Sequence, residues 1–478
     1  MSGRRDAVVI GSGAGGSVMA FELARRGLDV TVVEAGARWD PTTFEHDELA
    51  MFVRAYKHSG LQGTKDHDSL IVQGFTVGGS TVINNAIFLR ADLDRVLHDW
   101  AAAGAPVERA PLEAAYEELE DALHVTEMPD DLANAGAKVF LDGCAAAGIP
   151  GELLKHNRNT CIGCGWCNYG CRYNRKTSML VTYIPWAEGR GAQVLDRCRD
   201  VEVVANGKRA RGVRFVRDGR EQEIEADRVV VSAGAIGSSG VLLRSGIDLD
   251  GRVGRGLHML GGLFVTAEME EPVDGFDGIG LCAIAHAGRE IVIESYFAPP
   301  LVFSLRLGGW FGSHFNRMLR YRHFVDGGAM VGTDPTGVVK LNRKKEVEID
   351  FAFSRRDLER LVAGTKTLAR IYLAGGALRV FPSSYELLEI AGEEDLGLLD
   401  ERITRPDDLS LGSAHPQGGN AMSEDPSKGV VGSDFRVHGY ENLWVADASV
   451  FPTNIWANCQ ATVMAMSHHA ASFVAADA

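Results

Sequence analysis

Residues 7–36 constrain the fold of this chain more than any other stretch of the sequence. Gly11, Gly13 and Gly16 are spaced as G-x-G-x-x-G directly after a short apolar run that is typical of a strand buried on both faces. Helical periodicity follows the glycines, and a second apolar run then ends at Glu34. This strand–helix–strand order, with an acidic residue about 20 positions after the glycines, predicts a dinucleotide-binding fold.

Each residue type in this motif has a physical role. Gly11 permits a tight turn, Gly13 lets the backbone approach a pyrophosphate, and Gly16 lets the helix pack closely on the strand. Ala14 stands in the first turn of the helix, whose N-terminus would face the phosphates. Glu34 would accept hydrogen bonds from ribose hydroxyls and would repel a 2′-phosphate.

Bulk composition narrows the class of protein. A length of 478 residues predicts two or more domains, or one large domain with insertions. Hydrophobic and charged contents of 45% and 24% are ordinary for a globular chain, and a formal net charge of −15 argues against a nucleic-acid partner. No apolar run is long enough to span a bilayer, and the nucleotide motif begins almost at Met1. We therefore expect a cytoplasmic protein.

Residues 77–90, with the sequence VGGSTVINNAIFLR, contain a second glycine-rich segment. It resembles the GGS-x-x-x-N segment of the glucose–methanol–choline (GMC) flavin oxidoreductases, which lies against the isoalloxazine and pyrophosphate of FAD. The resemblance implies that Gly79, Ser80 and Asn84 contact FAD. Some members of the family bind flavin covalently through a histidine in this segment. Ile83 stands at that position here, so we expect FAD to be bound non-covalently.

Two further segments resemble FAD-binding parts of the same family. Residues 227–243 form a buried strand, a SAGAI turn and a helix, as in the second FAD-contacting strand of the family. On the strand that precedes it, Val201 would lie near the adenine. Residues 253–258 resemble the family's VGRNL segment, and we interpret His258 as a packing residue beside the cofactor domain.

Residues 409–469 resemble the C-terminal signature of the GMC family with the spacing kept. By this resemblance His415 is the active-site base and Asn458 is the second active-site residue. Asp447 and Ala448 correspond to the Asp–Ala pair that contacts FAD. The long-chain alcohol and sterol oxidases of the family are the nearest branch.

The residue types suit alcohol oxidation, in which a hydroxyl proton is removed and a hydride passes from carbon to flavin N5. A neutral imidazole with a pKa near about 6.5 can take that proton near pH 7. Asn458 would orient the alcohol oxygen without adding charge, and the positive end of the helix after it would stabilise reduced flavin. One position departs from the family pattern, because Gly419 stands where Thr is usual. His438, His468 and His469 lack a motif context and are interpreted as structural or surface residues.

Four cysteines, Cys161, Cys164, Cys167 and Cys171, have the spacing C-x2-C-x2-C-x3-C. This spacing matches the bacterial ferredoxin run that ligates an iron–sulfur cluster, although Arg172 replaces the usual proline. Three interpretations stay open: structural thiols in a glycine-rich loop, an iron–sulfur cluster, or a four-thiolate zinc site. A similar cysteine-rich segment lines the route to the flavin in the long-chain alcohol and sterol oxidase branches.

Residues 261–399 differ in character from the rest, since short alternating runs there predict an antiparallel substrate domain. Residues 338–353 predict a hairpin, and residues 357–374 a helix. Residues 303–324 mix aromatic and arginine side chains. We favour an amphipathic helix packed on the sheet, while contact with a membrane surface and cover for an apolar substrate channel are the alternatives.

Together these features predict an α/β fold: a doubly wound FAD domain with an inserted antiparallel substrate domain. The predicted segments are a first FAD part (1–105), a cysteine-rich cap (106–195), a second FAD part (196–260), a substrate domain (261–404) and a C-terminal FAD part with the active site (405–478).

The expected function is FAD-dependent oxidation of a hydrophobic alcohol, with oxygen or another electron acceptor. A flavin-dependent lyase or decarboxylase on the same fold is one alternative. A dehydrogenase that passes electrons to a partner or quinone is another, and a non-catalytic nucleotide-binding scaffold is the third.

Overall fold

The computed structural model describes residues 4–476. The helices are α1 (Ala14–Arg25), α2 (Glu48–Ala55), α3 (Leu93–Ala102), α4 (Arg109–Ala122), α5 (Ala135–Ala147), α6 (Tyr183–Glu188), α7 (Gly234–Arg244), α8 (Pro300–Arg306), α9 (Phe311–Met318), α10 (Arg355–Ala374), α11 (Gly397–Arg402) and α12 (Gln460–Ala476). The strands are β1 (Arg5–Ile10), β2 (Val30–Val33), β3 (Ser69–Ile71), β4 (Val125–Glu127), β5 (Gly151–Leu153), β6 (Lys155–Asn157), β7 (Gln193–Leu195), β8 (Arg199–Asn206), β9 (Arg209–Arg217), β10 (Arg220–Val231), β11 (Arg255–Glu268), β12 (Ala283–Ala285), β13 (Ile291–Tyr296), β14 (Phe324–Gly332), β15 (Gly337–Leu341), β16 (Val347–Asp350), β17 (Arg379–Pro382), β18 (Leu411–Gln417) and β19 (Leu443–Val445).

The first sheet has a parallel core in the order β7-β2-β1-β10-β19. The apolar ends of β1 and β10 and the whole of β2 are buried, as expected of strands covered on both faces. Helix α1 joins β1 to β2 and packs against α12, where Ser467 Oγ donates a hydrogen bond to the Gly15 carbonyl at 2.7 Å. The carboxyl ends of the parallel strands meet at one edge, which is where open α/β sheets bind ligands.

The second sheet is mainly antiparallel and runs β5-β12-β13-β14-β11, with β15, β17 and β18 also paired to β11. Strand β11 reaches so many partners because it is 14 residues long. Its first half pairs with β15 and β18, and its second half pairs with β14 and β17. Helices α5 and α10 pack on this sheet. The predicted combination of a parallel nucleotide-type sheet and an antiparallel sheet is therefore confirmed, while the boundaries of the five segments remain a prediction.

Most predicted elements are present, but one strand assignment was wrong. The alternation over residues 201–216 predicts a single strand, whereas the structure has β8 and β9 joined by a turn. Gly207 and Lys208 occupy this turn, with Gly207 at a φ of +60°. Glycine at the first position of a two-residue hairpin loop is a turn signal, and the alternating pattern on both sides conceals it. The predicted hairpin over residues 338–353 is confirmed as β15 and β16.

The aromatic segment 303–324 forms two short helices rather than one. Helix α8 buries Phe303, but no residue of α9 is buried. Trp310, Phe311 and Phe315 have exposed fractions of 78%, 90% and 61%. The single predicted helix is thus two helices, and α9 contacts the cluster on the sheet only through half-buried residues such as Met318. Contact with a membrane surface and cover for an apolar substrate channel stay predictions.

Within residues 4–476, no helix combines the length and the apolar character needed to cross a bilayer.

Candidate active site

The glycine loop between β1 and α1 contains two glycines that packing requires and one that borders open space. A Cβ added at Gly11, whose φ is +101°, would lie 2.3 Å from the Ser232 carbonyl oxygen. A Cβ at Gly16 would lie 2.0 Å from the Gly11 carbonyl oxygen. A Cβ at Gly13 would meet no atom within 4 Å. Gly13 is also the N-cap of α1, and a glycine N-cap provides no side-chain acceptor for the first N–H groups of the helix. The loop therefore has room and donors for a pyrophosphate.

Glu34 follows β2 and connects the glycine loop to its surroundings. Its Oε2 accepts hydrogen bonds from the backbone N and the Oγ of Ser12, at 2.9 and 2.8 Å, and its Oε1 accepts one from Gly36 N at 2.7 Å. Burial raises the pKa of Glu34, and these hydrogen bonds oppose the shift. Oε1 accepts only one of these bonds and has a lone pair left for a ribose hydroxyl, so the structure is compatible with the predicted role.

The second glycine-rich segment lies directly against the first. Ser12 Oγ accepts a hydrogen bond from Gly78 N at 3.0 Å, and a Cβ added at Gly79 would lie 2.7 Å from the Gly13 Cα. The structure thus brings together Gly13, Gly79 and the hydrogen-bond network of Glu34, as a shared dinucleotide site requires.

Ser80 and Asn84 continue this segment towards α12. Ser80 Oγ accepts a hydrogen bond from Gly74 N at 3.0 Å. Asn84 Nδ2 donates to the side-chain oxygen of Gln460, the first residue of α12, and Asn84 Oδ1 accepts from Ala86 N at 3.1 Å. Asn84 therefore connects the glycine-rich segment to the C-terminal part of the chain.

Asp447 joins the C-terminal signature to the turn after β10. Its Oδ2 accepts hydrogen bonds from Gly234 N at 2.8 Å and from Ser238 Oγ at 2.5 Å, while burial raises its pKa. Ala448 follows in a short 3₁₀ turn, and its carbonyl accepts a hydrogen bond from Gly418 N at 2.9 Å. Val201 is buried in β8, in the antiparallel part of the first sheet.

His415 and Asn458 are brought together although they lie 43 positions apart. Asn458 Nδ2 lies 3.2 Å from His415 Nε2. His415 belongs to β18 and pairs with Leu260 of β11, and Asn458 lies two residues before α12. Ser413 supports the strand locally, since its Oγ accepts from His415 N at 3.0 Å and donates to the Leu260 carbonyl at 2.7 Å.

The environment of His415 changes its acidity. Burial lowers the pKa of His415 to about 4, and the backbone of Leu260 opposes this shift in part. The imidazole is therefore neutral at physiological pH. Its Nε2 lies opposite the amide N–H of Asn458, so Nε2 is the unprotonated nitrogen in this arrangement.

Glu294 is a site residue that the sequence interpretation missed. It lies in β13 with an exposed fraction of 3%, and burial raises its pKa to about 7 although a hydrogen bond from Asn458 opposes the rise. Its Oε1 is buried without a protein hydrogen-bond partner. The sequence did contain one signal for Glu294. It lies two positions after the buried Val292 and therefore on the same face of β13, where a charged residue is not expected.

The remaining predicted residues have protein partners or line another cavity. His258 Nδ1 and His438 Nε2 each contact a backbone carbonyl oxygen, at 2.9 Å to Gly256 and 2.9 Å to Ser423. The thiols of Cys161, Cys164, Cys167 and Cys171 are free and line one cavity beside the Asn84 segment.

Comparison with known proteins shows the family of this chain. Residues 50–260 and 332–467 match the GMC oxidoreductase family, and residues 9–49 match the NAD(P)-binding Rossmann-like domain. The chain is 30% identical to an uncharacterized GMC-type oxidoreductase of Mycobacterium tuberculosis, over 97% of this chain and 75% of the relative. It is 26% identical to a long-chain-alcohol oxidase of Arabidopsis thaliana, over 97% of this chain and 67% of the relative.

Among solved structures, pyridoxine 4-oxidase from Mesorbium loti has the same fold, with a TM-score of 0.71 at 19% identity over 98% of this chain and 99% of that chain. Family match, fold and cofactor cradle agree. The chain belongs to the GMC oxidoreductase family and is an FAD-dependent enzyme.

Proposed function

We propose that this enzyme oxidises a hydrophobic alcohol to an aldehyde or ketone, with His415 as the base that accepts the hydroxyl proton. The observation that carries the proposal is the contact between His415 Nε2 and Asn458 Nδ2 beside a cradle that suits FAD. FAD, when bound, accepts the hydride that leaves the alcohol carbon. The chain's own residues orient the alcohol and take up its proton.

The protonation state of His415 supports its role as a base. A pKa of about 4 keeps the imidazole neutral at pH 7, although it is lower than the value near about 6.5 that the sequence led us to expect. A base of such low pKa gives a small driving force for proton transfer. An ionised Glu294, which receives a hydrogen bond from Asn458, would stabilise the imidazolium that forms, and so assist the transfer. Glu294 is thus a positioning residue in this proposal.

Asn458 has the geometry to hold the alcohol oxygen. Its amide N–H faces His415 Nε2 in the structure, and the same N–H can donate to an alcohol oxygen placed against that nitrogen. An amide adds no charge, so it polarises the hydroxyl without raising the pKa of His415. Helix α12 starts two residues later, so its positive end lies close to this pair.

Two observations favour a hydrophobic substrate. Leu260, opposite His415, and Val292, two positions before Glu294, belong to one buried apolar cluster together with Ile87 and Ile284. In addition, the 26% identity to a long-chain-alcohol oxidase extends over almost the whole chain. An apolar wall beside the proton-accepting pair suits an alkyl or ring substrate better than a polar sugar.

Anaerobic reduction of the bound flavin is the test of this function. We expect long-chain primary alcohols or a sterol to bleach the flavin absorption, whereas glucose and choline should leave it oxidised. Product analysis by mass spectrometry should find the matching aldehyde or ketone. If no alcohol reduces the flavin while the protein retains FAD, alcohol oxidation is wrong, and lyase or decarboxylase chemistry becomes the better account.

A further inference from the structure

A second cavity lies apart from the His415–Asn458 pair, inside the cysteine loop formed by residues 161–171. All four cysteines of the loop line it, together with Arg158 and Lys176. Gly163, Gly165 and Gly170 have φ values of +69°, +75° and +88°, which L side chains rarely adopt. The glycines thus shape a loop in which four thiols surround one space.

The arrangement of the sulfur atoms differs from that of a four-thiolate zinc site. With Zn–S distances of about 2.3 Å, the sulfurs around a tetrahedral zinc lie roughly 3.8 Å apart. Among the described residues 4–476, no three Sγ atoms of the loop lie within 4.8 Å of one another. The sulfur atoms of the loop are therefore spaced more widely than ligation of one tetrahedral ion requires.

Hydrogen-bond donors are aimed at the sulfurs. Arg158 Nη1 donates to Cys167 Sγ at 3.3 Å and lies 3.9 Å from Cys161 Sγ. The backbone N–H groups of Arg175 and Lys176 donate to Cys171 Sγ at 3.2 and 3.4 Å. Hydrogen bonds to cysteine sulfur tune the potential of iron–sulfur clusters, and thiolates accept them more strongly than thiols do.

Two buried cations border the same cavity without carboxylate partners. Arg158 and Lys176 have exposed fractions of 7% and 3%, and both line the cavity. Lys176 Nζ donates to the carbonyl oxygens of Val82, Asn84 and Cys167 at 2.7 to 2.8 Å. Within the part of the chain that the structure describes, the side-chain partners of both cations are sulfur and backbone oxygen atoms, and no Asp or Glu pairs with them. Buried charges are normally paired, so the two cations indicate an anionic group in the cavity.

We propose that the four thiols of the cysteine loop ligate one iron–sulfur cluster of the four-cysteine type. Each thiol loses its proton to solvent as its sulfur binds one iron of the assembled core. Four thiolates around an iron–sulfur core carry a net negative charge, which Arg158 and Lys176 balance. The spacing C-x2-C-x2-C-x3-C, the shared cavity and the two buried cations all agree with this assignment, and none of them depends on the alcohol-oxidation proposal.

Iron and acid-labile sulfide, measured on FAD-loaded full-length protein, test the proposal. The protein is purified without oxygen and then reconstituted with iron and inorganic sulfide. We expect about four irons and about four sulfides per chain, together with a low-temperature electron paramagnetic resonance signal after reduction. Cys164→Ser and Cys171→Ser should each lose most of the sulfide and change or abolish the signal while retaining FAD.

The matched control is Cys198→Ser, because Cys198 is a buried thiol outside the cysteine loop. It should keep iron, sulfide and FAD at wild-type levels. Loss of FAD would show that a cysteine-loop variant has not folded. The other variant and the iron and sulfide content of the wild type then test the proposal. Reconstituted wild-type protein with FAD but less than about half an iron per chain, or with stoichiometric zinc and no sulfide, would overturn the proposal.

Discussion

Nδ2 of Asn458 lies 3.2 Å from Nε2 of His415, and this contact joins the antiparallel sheet to the loop that precedes α12. His415 is held by β18 of the antiparallel sheet, whereas Asn458 precedes α12, which packs on α1 of the nucleotide-binding part. The proposed reacting groups therefore meet only when the two parts are assembled. A change at Asn458 should alter the chemistry of His415 more than the stability of either part.

Replacing Asn458 by Asp should raise the pKa of His415. A carboxylate 3 to 4 Å from the imidazole stabilises its protonated form, so the acid limb of the rate profile should move to higher pH. The measurement is the anaerobic rate of flavin reduction as a function of pH. Asn458→Ala is the matched control: it should lower the rate by about 10²–10³-fold, as for loss of one well-placed donor, without moving the limb upward. An unmoved limb in Asn458→Asp would contradict the contact.

Wild-type enzyme should show two ionisations in the same profile. Protonated His415 cannot accept the hydroxyl proton, so the rate of flavin reduction should fall as the pH drops towards about 4. Glu294 ionises near pH 7, and its negative charge should raise the rate above that pH by stabilising the imidazolium. In Glu294→Gln the rate of flavin reduction should show no rise near pH 7. It should stay at the value that the wild type has just below that pH. Persistence of that step in Glu294→Gln would assign it to another group.

The raised pKa of Glu294 also predicts a change in stability. Its pKa is raised from 4.5 to about 7 in the folded chain, so the folded state binds this proton more tightly than the unfolded state does. Stability is therefore lost as the pH rises from about 4.5 to about 7, by about 3 kcal/mol at most. Glu294→Gln, which mimics the neutral carboxyl, should unfold at a higher denaturant concentration than wild type at pH 8, but at a similar one at pH 4.5. Equal midpoints at both pH values would exclude a strongly raised pKa.

Sequence patterns predict the nucleotide-binding part well because the residues that specify it lie close together in the chain. The apolar runs, the glycine spacing and Glu34 lie within about 30 residues, and each has one physical role. The pairing of His415 with Asn458 depends on sheet contacts across the chain, and only the family resemblance anticipated it. Glu294 was missed because an alternating strand predicts scaffold. The role that we propose for Glu294 follows only from the fold, which brings β13 beside Asn458.

The open space at Gly13 predicts a variant that separates cofactor binding from folding. Gly13→Ala adds a methyl group that meets no protein atom within 4 Å, so the apoprotein should be as stable as wild type. The methyl group should hinder approach of the pyrophosphate and weaken FAD binding at least about tenfold, or ~1.4 kcal/mol.

FAD titration of the apoprotein by fluorescence measures this effect. Gly397→Ala is the control, because a Cβ there also meets no atom within 4 Å but lies at the start of α11. Wild-type FAD affinity in Gly13→Ala would show that the pyrophosphate lies elsewhere.

The rate of anaerobic flavin reduction by a long-chain alcohol in His415→Ala, compared with wild type, tests the central claim most directly. The variant should retain FAD and reduce it about 10²–10⁴-fold more slowly, the usual contribution of a general base. Reduction at the wild-type rate in an FAD-loaded His415→Ala protein would contradict the role of His415 as the proton acceptor.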